Sequence, residues 1–274
     1  MTELTLQEIQ QESLRILRQV HAFCETNGIR YSLAYGTMIG AARHKGFIPW
    51  DNDIDIYMPR PDYVRFCNSF HADGLGIVSE KEKGCYINFC RVYDRERTVA
   101  KVHFPTSKDY DGGVWIDVFP MDGAPDNYDA FLAKMKYMRR FYAPQPYIRK
   151  SLLGFQEISH AYGFKEGFIL FCYRYLMPTR LVLRLLCNKQ RKDAQQYPFG
   201  STKHWTDYCC IHIGDNNFHL VEEWDDIMDV QFEGERFRML AAYDAILRRR
   251  YGDYMKLPPE KDRVPKGDER FFWK

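Results

Sequence analysis

Residues 48–58 read IPWDNDIDIYM and place Asp51, Asp53 and Asp55 at alternate positions. On an extended strand, residues two apart share a face. The three carboxylates then stand side by side, while Ile54 and Ile56 turn toward a core. Like charges at that spacing repel one another unless they are solvated or share a cation. Hard oxygen ligands on a rigid strand suit Mg²⁺ or Mn²⁺, which bind through one or two carboxylates and complete their shell with phosphate oxygens. A lone D-x-D is most often a pair of solvated loop acids, so neighbouring sequence has to carry the assignment.

Two neighbouring segments add to it. Upstream, YSLAYGTMIGAARHKGF reads as a strand over 31–35, a turn at Gly36-Thr37 and a helix over 38–43. Thr37 is placed to cap that helix, whose first N–H groups are free to hold an anion. Gly36 and Gly40 allow close backbone approach. Downstream, GGVWIDVFPMDG sets Asp117 inside an apolar run. A carboxylate in a buried strand is costly unless it is paired or bound to a metal. Asp117 is therefore a third metal ligand or a base. The ordinary alternative is an acid bonded to a neighbouring Arg or backbone N–H.

Arg43, Lys45 and Arg91 are candidates for charge-assisted contacts to phosphate, although each alone reads equally as a surface ion pair. Trp50 is a candidate substrate contact. With Tyr57, Trp115 and Phe119 it flanks the acids. Such rings suit a quaternary ammonium, but core packing is their commoner role. Asp51 has two readings, as an outer support of the metal shell or as a cap after Trp50.

The blocks YGTMIGAARHKGFIPWDNDIDIYMPRPDY, VWIDVFPMDG and YGDYMKLPP resemble the LicD family. Its members include bacterial phosphocholine transferases, and the fukutin and fukutin-related proteins are more distant relatives. The resemblance covers most of the chain except the middle. One departure is Met239-Leu240, where a Pro is expected before the last helix. The resemblance implies an α+β fold with a nucleotidyltransferase-like mixed sheet flanked by helices. It implies transfer of a phosphorylated alcohol, phosphocholine above all, from a CDP-alcohol donor to a glycan acceptor that is free or lipid-linked. Asp53, Asp55 and Asp117 would be the catalytic and metal-binding acids. Gly36, Thr37, Arg43, Lys45, Arg91 and Trp50 would be substrate contacts. The spacing itself does not separate attack at one phosphate of the donor from attack at the other. A nucleotidyltransferase acting on a small molecule, or a catalytically silent adaptor at a membrane surface, remain the other readings.

The 274 residues are 45% hydrophobic and 28% charged, as in ordinary folded domains, with 16% aromatic. The net charge of +2 hides an asymmetry: residues 134–192 hold 13 Lys and Arg against 2 Asp and Glu. This predicts a basic helical insertion over 127–200 within a single catalytic domain spanning 1–274. Its interleaved apolar runs suit either a helical layer with a solvated rim or contact with an anionic membrane surface. No recognition motif supports nucleic acid as a partner. Eight cysteines without C-x-x-C spacing, a polar N-terminus and no long apolar run predict free thiols and a cytoplasmic protein, peripheral at the inner face of the membrane.

Thr5 and Glu8 form a capping box for a first helix that ends at Asn27-Gly28. Further on, the pattern predicts a helix over 61–70 and strands over 85–93 and 98–102. It also predicts strands over 208–213 and 230–237, and a last helix over 241–251.

Overall fold

The computed structural model describes residues 1–82, 84–101, 112–152, 163–210, 216–265 and 269–274. Helix α1 (Leu6–Asn27) begins at the capping box of Thr5 and Glu8 and ends where Gly28 turns left-handed, its N–H reaching the carbonyls of Cys24 and Glu25. Its buried stripe, Ile9, Ile16, Leu17, Val20 and Cys24, lies in the main core.

The sheet that core covers has the order β1-β2-β6-β4-β3. Its strands are β1 (Ser32–Leu33), β2 (Asp55–Pro59), β3 (Leu75–Val78), β4 (Cys90–Asp94) and β6 (Trp115–Ala124). Strands β2 and β6 run parallel, and the other pairs on this path are antiparallel. Helix α2 (Tyr35–His44) leaves β1, and α3 (Arg60–Ser69) leaves β2 with Pro61 in its first turn. Arg60 of α3 forms a buried two-point ion pair with Asp122 of β6, at 2.8 and 2.5 Å, which ties the helix to the central strand. The far end of β6 pairs with β7 (His204–Thr206), which pairs in turn with β8 (His219–Leu220). The chain therefore departs from β6 after Ala124 and returns beside it at His204.

Between those points lie α4 (Tyr128–Tyr142), α5 (Gln145–Lys150), α6 (Phe164–Leu176) and α7 (Thr179–Ala194). Of these, α4, α5 and α7 pack around two smaller apolar clusters, one centred on Phe131, Met135 and Met138, the other on Leu183 and Cys187. A hairpin of β9 (Ile227–Phe232) and β10 (Glu235–Leu240) lies against β1, where the Leu240 N–H donates to Ser32 Oγ. Helix α8 (Tyr243–Tyr251) follows. Strand β5 (Thr98–Lys101) pairs with β11 (Arg270–Trp273) near the C-terminus.

The α+β class and the mixed sheet flanked by helices are as expected, and several local readings are corrected. Strand β2 begins only at Asp55. The Ala34 N–H bonds the Asp55 carbonyl, and the chain then turns into α2, so residues 51–54 have no strand beside them on that side. Helix α2 starts at Tyr35, three residues earlier than expected, and β1 shrinks to two residues. The expected strand over 230–237 is the β9–β10 hairpin. Glu233 and Gly234 both have positive φ, the pairing a tight two-residue hairpin turn demands. The third strand of the expected set starts at Cys90, not at 85. Near 208 the strand is β7, ending at Thr206; residues 211–213 and 102 of the expected strands lie outside the described residues.

Candidate active site

The acids are gathered by the sheet register. Asp55 of β2 pairs directly with Asp117 of β6, and Asp117 pairs directly with Arg91 of β4. The three residues form one rung across three strands, on one face, because residues in register share a face. Ile54 and Ile56 point the other way and are fully buried, as the alternation predicts. Asp51 and Asp53 precede the strand, yet their carboxylates lie within hydrogen-bonding reach of each other, and Asp53 feels Asp117.

The electrostatics are those of a crowded anionic cleft. Desolvation first, then Asp53, Asp117 and Asp51, push the Asp55 carboxyl well above the usual range, and Arg250 opposes the rise. Asp53 is open to solvent at the rim, but protein surrounds it on most sides. Desolvation and the neighbouring Asp51 and Asp117 raise it too. Burial also raises Asp117, while Arg91 holds it down. That Arg is bound to it directly: Arg91 Nε donates to Asp117 Oδ1 at 2.7 Å. The guanidinium also lies 4.2 Å from the centre of the Trp115 ring. The ordinary alternative for Asp117, an acid bonded to a neighbouring Arg, is thus present in the structure. Asp53, Asp117 and Arg91 nevertheless line an opening of about 100 Å³ together with Asn52, Trp115, Glu269 and Phe271.

Helix α2 positions the other side. Thr37 is not its cap, because Ala34 holds that position and no side chain caps the helix. Instead the Asp55 N–H donates to the Thr37 hydroxyl at 2.9 Å, which locks α2 to the start of β2. Gly36 leaves room for a close contact: a Cβ there would stand 2.7 Å from Asp51 Oδ2. The Asp51 carboxylate therefore rests against the first turn of α2, where helix dipole and amide groups favour an anion. Tyr35 has φ +46, an uncommon conformation for an aromatic residue and one found disproportionately at functional sites.

Arg43 and Lys45 stand at the opposite end of α2, about 9 and about 12 Å along its axis from Thr37 at 1.5 Å per residue. Arg43 donates to the Tyr254 carbonyl at 2.6 Å, and Lys45 is the left-handed C-cap of the helix, its carbonyl bonded to the Glu233 N–H. They belong to the junction with the hairpin and the C-terminal segment. Trp50 is half-buried against the main core, with Arg263 6.0 Å from its ring centre. Tyr57, Trp115 and Phe119 are buried core rings.

Two residues at the site had escaped the sequence reading. Arg250 lies on the inner face of α8 with Ile246 and Leu247. It sits 4.0 Å over the Tyr35 ring and donates to Asn217 at 3.2 Å, and it is a cation whose charge reaches Asp55. The helical spacing of Ile246, Leu247 and Arg250 was the available signal, hidden in a run of three arginines. Glu269 comes to the cleft with β11, and nothing in its local sequence marks it.

The model of the LicD/FKTN/FKRP nucleotidyltransferase domain matches residues 28–153, which include the α2 turn, the acids and Arg91. The chain is 31% identical over 277 aligned positions to the lipopolysaccharide cholinephosphotransferase LicD of Haemophilus influenzae, covering 97% of both. The chain belongs to the LicD family. The mouse ribitol 5-phosphate transferase FKRP is 30% identical over 152 positions, 43% of this chain and 31% of that protein. Its human counterpart is 36% identical over 88 positions, 29% of this chain and 18% of that one. The fold expected from the resemblance, nucleotidyltransferase-like, is that of the family.

Among the described residues no three His, Cys, Asp or Glu side chains form a closed cation cage. The donor set still fits a divalent cation of the Mg²⁺ kind. It offers hard carboxylate oxygens, desolvated and mutually repelling. Such ions commonly take only one or two carboxylates and draw the remaining ligands from water and substrate phosphate.

Proposed function

We propose that this LicD family protein transfers a phosphorylated alcohol, phosphocholine carried as CDP-choline, to a hydroxyl of a cell-surface glycan or its lipid-linked precursor. The observation that carries the reading is the full-length match to a cholinephosphotransferase, over 97% of both chains. The rung of Asp55, Asp117 and Arg91 supplies chemistry that agrees with it.

Asp53 and Asp55 are the residues that would hold Mg²⁺ or Mn²⁺. Bound there with the donor's phosphates, the cation would neutralise charge on the diphosphate as the bond breaks. Asp117 accepts the proton of the acceptor hydroxyl or adds a ligand; proximity to a cation keeps it ionised and limits its basicity, so the two roles trade against each other. Arg91 keeps that carboxylate ionised and oriented. The acceptor oxygen forms a bond to the phosphorus that bears the alcohol. The bond from that phosphorus to the bridging oxygen breaks, and CMP leaves with the electron pair. Gly36 lets the Asp51 carboxylate approach the backbone of α2, and Thr37 fixes that helix against Asp55.

Incubation of the protein and Mg²⁺ with an acceptor glycan and a panel of CDP-alcohols tests this, with products read by mass spectrometry. CMP release, with CDP-choline the best donor, is the expected result. Pyrophosphate release from a nucleoside triphosphate, without CMP from any CDP-alcohol, would establish nucleotidyl transfer instead.

A further inference from the structure

Helices α6 and α7 meet at a corner around Pro178. Their outer faces carry large apolar side chains at helical spacing: Phe164, Phe168, Phe171 and Tyr175 on α6, then Leu181 and Leu185 on α7. These six are between 39% and 73% exposed, and Leu176 at the corner is 81% exposed. Isolated exposed apolar residues are ordinary, but a series this dense on adjacent helices marks an interaction surface. A groove of about 460 Å³ opens at the same corner, lined in part by Leu152, Met177 and Leu181.

The charges beside this face bear on what it can meet. Lys165, Arg180 and Arg184 are exposed on the same two helices. Along α7 the first acid is Asp193, which pairs with Lys189 and accepts from Tyr137. A second copy of the chain docked here about a two-fold axis would set these cations against their own images. An anionic lipid surface satisfies both features. Rings and leucines enter the boundary between headgroups and acyl chains, and guanidinium groups meet lipid phosphates. No helix among the described residues is long and apolar enough to cross a membrane.

We propose that the α6–α7 corner is a lipid-docking surface that seats the protein in the interface of an anionic bilayer. The proposal does not depend on which alcohol is transferred, so vesicle binding and turnover can fail separately. The full chain is floated with phosphatidylcholine vesicles with and without phosphatidylglycerol. It should float with the anionic vesicles at low salt and be released at high salt. Arg180→Glu with Arg184→Glu, and separately Phe168→Ser with Leu185→Ser, should each reduce binding by at least about tenfold. Both pairs replace exposed side chains and should keep the parent melting temperature. Failure of the parent protein to float at low salt overturns the proposal, as does undiminished binding by the Phe168→Ser, Leu185→Ser variant. A parent that is dimeric by light scattering without lipid, and monomeric after those two substitutions, assigns the face to a second copy instead.

Discussion

The carboxylates of this cleft differ in how the chain holds them, and their substitutions should differ accordingly. Asp53 and Asp55 repel each other and Asp117, with both carboxyls raised chiefly by desolvation. Asp53→Asn and Asp55→Asn should each abolish turnover and leave the folded protein at least as stable, since each removes a repulsive charge. Near-normal turnover by either variant at saturating Mg²⁺ would remove the metal assignment. Asp117 is held by Arg91 at 2.7 Å. Asp117→Asn should lower kcat by at least about 10²-fold, with KM for the donor changing less; unchanged kcat would leave Asp117 only its structural ion pair. Arg250 is a third case, a buried cation whose charge favours the ionised form of Asp55. Its Nε and Nη2 have no hydrogen-bond partner among the described residues and lie over the Tyr35 ring. Arg250→Met should move the onset of Mn²⁺ binding, read by electron paramagnetic resonance across pH, to higher pH, because Asp55 ionises less readily without that charge. An unchanged onset in the variant would limit Arg250 to packing.

At the scale of elements, α2 and β2 act as a pair. Thr37 bonds the Asp55 N–H, and the Asp51 carboxylate rests on Gly36. Gly36→Ala would bring a methyl group within 2.7 Å of Asp51 Oδ2. Asp51 lies in a segment outside any strand, so it can swing away at modest cost. The expected outcome is a loss of turnover much larger than the loss of stability, which should stay within about 1–3 kcal/mol. Denaturant melts and initial rates on the same preparation check it. A variant that loses both in proportion would show that Gly36 only holds the fold. Gly40 offers the contrast, since a Cβ there would meet the Gly46 carbonyl oxygen at 2.4 Å. That obstacle is backbone, so Gly40→Ala should destabilise the protein first.

Across the whole molecule, the acidic cleft links stability to pH and, on the proposed metal assignment, to divalent cation. Carboxyls whose folded pKa is raised bind protons more tightly in the folded chain than in the unfolded one. Their contribution to stability is complete below the unfolded value of about 4 and is lost as pH rises through the raised folded range. In EDTA, the Asp53→Asn variant should therefore be more stable than the parent, by a margin that grows from about pH 4 toward neutrality. Mg²⁺ at neutral pH should raise the parent's melting temperature; at 100 times its dissociation constant, the gain is about 2.7 kcal/mol. The shift should vanish in Asp53→Asn and Asp55→Asn. Calorimetric melts across pH decide it, and a parent indifferent to Mg²⁺ at every pH would count against a cation in the cleft.

Much of this was legible in the amino-acid order, for a physical reason. The capping box at Thr5, the helix stop at Gly28, the inward Ile54 and Ile56 and the apolar strand around Asp117 are local consequences of backbone geometry and burial period. The motif blocks likewise pointed to the family that the full-length match establishes. Register and packing were not local. A strand exists only where a neighbour runs beside it, so residues 51–54 fell outside β2 once the chain turned into α2 at Tyr35. The hairpin turn at Glu233-Gly234 split an apolar run that read as one strand. Arg43 and Lys45, close to the acids in sequence, ended at the far end of α2. Arg91, Arg250 and Glu269, distant in sequence, came to the cleft or beside it. Residue types and short periods determined which chemistry was present. Tertiary pairing decided which side chains met, because a cross-strand rung is set by partners far along the chain.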